Sequence, residues 1–235
     1  MNGYPGYPSS PSQLGVRPAP ALVQQLLVGA FGWMFAGLLL SAGTAFLVAT
    51  NQSLLTGVAG LWLPLVFGQL ILALVIQGAI NRASPSVSLA LFFVYAATMG
   101  LTIGVIVTLY SSASVATAFV SAAAMFGAAA FYGAVTKRSL ASLGGLAFMS
   151  LFGIIIASVV NMLLASSALG WGISVIGVLL FTALTAYDVQ RITNGDYAAM
   201  TGSPERASVL AALHLYLNFI NLFLFLLRLM GSSRN

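Results

Sequence analysis

Apolar residues run along this chain in blocks of roughly 20 or more, each long enough to cross a hydrocarbon core of about 30 Å as a helix. None of the blocks shows the period-two alternation of a barrel strand. Seven spans are predicted, at about 22–48, 58–80, 87–110, 114–135, 140–163, 170–191 and 207–230. Turn residues separate them: NQS at 51–53, RASPS at 82–86, SSAS at 111–114, TKRS at 136–139, ASSALG at 165–170 and TNGDYAAMTGSPER at 193–206. The loops are short, so consecutive helices should run antiparallel. Residues 1–21 stand apart. Five of the eight prolines fall in the first 20 positions, and this stretch is expected to be a disordered Pro/Gly/Ser-rich tail. A spanning domain then covers 22–231, with a short tail at 232–235.

Composition agrees. The chain has 235 residues, 60% hydrophobic and 5% charged, against about 25% charged in an ordinary soluble domain. Its expected fold class is therefore an all-α integral membrane protein, and its first partner is the lipid bilayer. The net charge of +5 reads as topology rather than nucleic-acid binding. Arg17, Arg82, Lys137, Arg138, Arg191 and Arg206 lie in the tail and the even-numbered loops, and the odd-numbered loops carry no basic residue. That asymmetry predicts a cytoplasmic N-terminus. Seven full spans put the C-terminus outside; six spans and one re-entrant segment would return it to the cytoplasm. Ridges of small residues, Ala96–Gly100–Gly104, Ala123–Gly127 and Ala129–Gly133, allow close helix approach. They are read as packing within one bundle, so a monomer is expected.

Candidate chemistry is sparse. Three acids exist, Asp188, Asp196 and Glu205, and the last two lie in the loop before the seventh span. Asp188 lies inside the sixth span, where an ionisable residue marks a functional site by default. Its bland counterpart is a helix-end acid paired with Arg191 at i+3. In the seventh span, His214, Asn218 and Asn221 fall within about 60° of one another on the helical wheel. His214 and Asn218 sit nearer the depth of Asp188. Interhelical hydrogen bonding is the alternative reading of all three. Arg82, Arg191 and the Lys137–Arg138 pair are candidate latches for Asp188. No enzyme is expected. A second intramembrane carboxylate motif, a Gly-x-Ser-Gly segment, a lysine in the last span and a phosphate loop are all absent, and one histidine with no cysteine does not make a metal centre. No resident cofactor is expected.

The segments GWMFAGLLLSA, TKRSL, LTAYDVQRI and LYLNFINLFLFLLRLMG resemble the Bax inhibitor-1 family, the transmembrane Bax inhibitor motif proteins, in its bacterial YccA/YbhL-like branch. The resemblance covers about 22–231. It implies a seven-helix bundle with the C-terminal helix at its centre, in the cell inner membrane. It further implies a pH-sensitive calcium leak, gated by a pair of aspartates on the sixth and seventh helices. Asp188 matches the first. The second, in the motif LYLDFINLF, is Asn218 here. Two adjacent carboxylates raise one another's pKa; an Asp–Asn pair does not, so the family's proton switch is altered. The set Asp188, Asn218 and Asn221 is also one charge poorer for calcium, which takes six to eight oxygen ligands. His214 offers another source of pH sensitivity. The resemblance also implies an alternative: a non-transporting interaction protein that modulates a membrane protease or a stress response.

Overall fold

A computed structural model describes residues 18–80 and 82–232. The tail expected at 1–21 lies outside these residues up to position 17, as do 233–235. The described chain is helical throughout: α1 (Pro20–Thr50), α2 (Gln52–Gly60), α3 (Trp62–Ala79), α4 (Pro85–Val107), α5 (Ser112–Val135), α6 (Ala141–Leu164), α7 (Ser167–Thr193), α8 (Asp196–Thr201) and α9 (Pro204–Met230). Seven of these, α1, α3, α4, α5, α6, α7 and α9, are long and apolar enough to cross a membrane. The protein is an all-α multi-pass membrane protein.

Helix starts follow local chemistry. Ser84, Ser111, Ser166 and Ser203 each cap a helix by accepting a backbone N–H three residues on. Proline occupies the first turn of α1, α4 and α9, where its missing N–H costs nothing. Two expectations need correction. The second span begins at Trp62, not 58, because Asn51 caps a separate short helix, α2. The segment 193–206 is not a plain loop. It contains α8, bracketed by Gly195 at φ 75° and Gly202 at φ 66°, left-handed conformations that glycine adopts without steric cost.

Helix α9 occupies the centre. Of its most apolar window 72% is buried, against 11% for α3 and 12% for α6. Its main long neighbours are α1, α7, α5 and α4; α3 lies further out against α4, and α6 against α7. The central helix has no lipid-facing side over most of its length, which is why it tolerates polar residues. Large apolar side chains such as Phe35, Phe67, Phe131 and Leu163 point outward, as a bilayer-facing surface requires.

The ridge Ala96–Gly100–Gly104 packs against α1. A Cβ at Gly100 would collide with Thr44 and the Ser41 backbone, and one at Gly104 with Val48. Tyr216 on α9 donates its phenol to Ser41 (2.7 Å), which donates to the Ala96 carbonyl (2.7 Å), pinning α1, α4 and α9 together. Ala129 and Gly133 face α7, where Gly133 lies against the Ala186 backbone. Ala123 and Gly127 instead face outward with open space around Gly127.

Candidate functional site

Asp188 lies five residues before the end of α7 and is 4% exposed. A carboxylate so buried must be paired and hydrogen-bonded to remain charged, and both of its oxygens are engaged. Asn218 on α9 donates its side-chain N–H to Oδ2 at 2.8 Å. Tyr197 on α8 donates its phenol to Oδ1 at 2.7 Å. The Arg191 guanidinium lies 3.7 Å from Oδ1, and His214 Nδ1 lies 3.5 Å from the same oxygen. One carboxylate therefore joins three helices: its own, the central helix and the short helix between them.

Tyr197 also lies 2.8 Å from His214 Nδ1. A phenol has one proton, and an ionised carboxylate can only accept. With the Tyr197 proton given to Asp188, the contact to His214 requires Nδ1–H to donate to the Tyr197 oxygen. This assigns the histidine tautomer from its network. The result is a directed chain, His214 to Tyr197 to Asp188. Burial first, and then the Asp188 charge, push the Tyr197 phenol well above its ordinary range, although Arg191 opposes them. The phenol is thus a neutral donor throughout the physiological range. Arg191 caps the group from the other side. Its guanidinium lies over the Tyr197 ring at 4.3 Å and near the Tyr187 ring at 5.5 Å.

The sequence candidates divide. Asp188, Asn218, His214 and Arg191 come together. Asn221 does not join them: it donates to the Leu217 carbonyl of its own helix at 2.8 Å. One turn beyond Asn218, it finds a backbone acceptor four residues back, so the expected three-residue face contributes two residues to the site. Arg82 is no latch. It is exposed in the turn before α4 and is not among the partners of Asp188. Lys137 and Arg138 are likewise exposed and are not among the partners of Asp188. Tyr197 was not anticipated. The signal for it was the Gly195–Gly202 bracket around DYAAMT, which makes a short helix rather than an open loop. Of the two loop acids, Glu205 is exposed and accepts a hydrogen bond from Ser203 at 2.6 Å, while Asp196 is half-buried.

Among the described residues, no group of three or more His, Asp or Glu comes together. Asp188 supplies the one carboxylate of the site, and it already accepts two short hydrogen bonds. This donor set is too poor for a resident calcium cage of six to eight oxygens.

The family model described as "Inhibitor of apoptosis-promoting Bax1" matches residues 23–235. A protein of Deinococcus radiodurans is 44% identical over 214 residues, covering 91% of this chain and 92% of its own. The inner membrane protein YbhL of Escherichia coli is 42% identical over 232 residues, covering 93% and 96%. A protein of Borreliella burgdorferi is 40% identical over 216 residues, covering 90% and 93%. The chain therefore belongs to the Bax inhibitor-1 family.

Proposed function

We propose that this protein is a pH-sensitive cation leak, with calcium as the cation carried, and that Asp188 is its gate. The observation that supports this is the clamp itself: one buried carboxylate ties α7, α8 and the central α9 together, with a histidine in contact. Ions crossing such a bundle need the central helix to shift against its neighbours. The Asp188 bonds oppose that shift.

The sensor differs from the family's aspartate pair. Asn218 donates to Asp188 and has no proton to lose. We take His214 as the group that gains and loses the proton. Protonating His214 places a full cation 3.5 Å from Asp188 Oδ1, which strengthens the clamp. Deprotonation leaves only the neutral hydrogen bonds and Arg191. The leak should therefore rise with pH and fall on acidification. We place the chain in a bacterial inner membrane, as the name of the E. coli relative says of that protein. We read it as a transport protein without catalytic chemistry or a resident cofactor.

Purified protein in liposomes loaded with a calcium dye tests this between about pH 6 and 8. Flux should exceed that of empty vesicles and increase toward the alkaline end. His214→Ala should flatten the profile. Asp188→Asn should raise the leak and remove its pH dependence, because the charge that His214 and Arg191 attract is gone. Asn218→Asp should add a second carboxylate at hydrogen-bond distance and a new, steeper pH response. No flux at any pH would sink the leak reading.

A further inference from the structure

A cavity of about 1270 Å³ opens at the end of the bundle that carries the basic loops. Its walls are the first turns of α1, the C-terminal ends of α5 and α7, the 136–139 loop and part of α8. We propose that it is a binding site for the headgroup of an anionic phospholipid.

The lining has two chemistries. Val23, Leu27, Val28, Ala134 and Val135 give it an apolar wall on helices that face the bilayer. Lys137, Arg138 and Arg191 give it cations, opposed by the single carboxylate of Asp196. Lys137 and Arg138 are exposed and make no ion pair among the described residues. Helix α6 starts at the same place without a side-chain cap, so its N-terminal dipole adds to the positive field.

The basic loop is built rather than loose. Gln190, 7% exposed, accepts the Leu140 N–H at 2.8 Å and donates to the Arg138 carbonyl at 2.8 Å. One buried amide thus holds both sides of the Arg138–Leu140 stretch against α7 and fixes the backbone that carries the cavity's cations. An occupant with phosphate on one side and acyl chains on the other fits both halves. The first 17 residues of the sequence hold Arg17 and no acid, so charge argues against the chain's own tail as occupant. The site shares Arg191 with the Asp188 clamp, but its occupancy requires no ion flux and no movement of Asp188.

The test uses the full-length protein in nanodiscs of phosphatidylcholine doped with phosphatidylglycerol. Native mass spectrometry counts the lipids retained on release. Photoactivatable phosphatidylglycerol then maps the contact by peptide sequencing. Phosphatidylglycerol should be retained over phosphatidylcholine, with crosslinks in the 134–141 and 187–200 segments. Lys137→Gln with Arg138→Gln should cut retention about tenfold or more. Arg82→Gln, at the same end but off the cavity, should leave it unchanged. Thermal unfolding of the double variant checks that it folds. If it does not, loss of crosslinking when unlabelled phosphatidylglycerol competes on the wild-type protein gives the same reading. Equal loss in the Arg82 variant, crosslinks elsewhere, or no headgroup preference would overturn the proposal. Complete displacement by millimolar inorganic phosphate would assign the cavity to a soluble anion and overturn the lipid assignment.

Discussion

At the scale of single residues, position 188 decides most of the chemistry. Its two oxygens accept from different helices, so losing either donor leaves a buried acceptor short. Tyr197→Phe removes one donor and also the bridge to His214. It should destabilise the fold by about 1–3 kcal/mol, read as a lower melting temperature in detergent. It should also weaken the effect of His214 protonation on the leak. The sign with pH follows from the raised phenol. A tyrosine kept neutral by the fold contributes fully below its unfolded pKa of about 10, and that contribution is lost as pH rises further. Melting temperature should show no step from this group near neutrality and should fall in strong alkali, less steeply in Tyr197→Phe. A step near neutrality that disappears with the phenol would contradict the assignment of pH sensing to His214.

At the scale of elements, close approach of α5 to α7 sets the position of Asp188. Gly133 lies against the backbone of Ala186, two residues before the carboxylate. Gly133→Val must push the helices apart. Overpacking of this kind costs about 1–3 kcal/mol, and it should also raise the leak by moving Asp188 from its donors. Gly127, on the same helix, has nothing within reach of an added Cβ. Gly127→Val should change stability by less than about 0.5 kcal/mol and leave flux unchanged. Both variants carry similar sequence motifs into the comparison, so thermal melts of the pair separate packing from composition. Equal melts would mean that the α5–α7 contact does not carry the load assigned to it.

At the scale of the whole molecule, charge is divided between the two ends. Arg82, Lys137, Arg138, Arg191 and Arg206 lie at the end where α1, α4, α6 and α9 begin; Arg228 lies at the other. The basic end should face the cytoplasm. The chain has no cysteine, so single cysteines report cleanly. Ser139→Cys should react with an impermeant maleimide only after the cells are opened, and Ser53→Cys should react in intact cells. Both sites are exposed. The reverse pattern would invert the orientation, and with it the leaflet that supplies the proposed lipid.

The membrane class and the seven spans are legible in the sequence alone. Those properties come from local hydropathy and helical pitch, which need no tertiary contact. The sequence also determined, by its resemblance, that Asp188 and position 218 belong together. Which polar groups meet depends on how the helices pack. Asn221 shares a face with Asn218 on the wheel, yet it satisfies itself on its own backbone, because a turn of separation puts it beyond Asp188. Arg82 and Arg191 are the same residue type near the same membrane end, but only Arg191 shares a helix with the carboxylate. Tyr197 was hidden because six residues between two glycines carry too little periodicity to announce a helix. Their packing beneath α7 and α9, not their composition, turns a loop tyrosine into the bridge between Asp188 and His214.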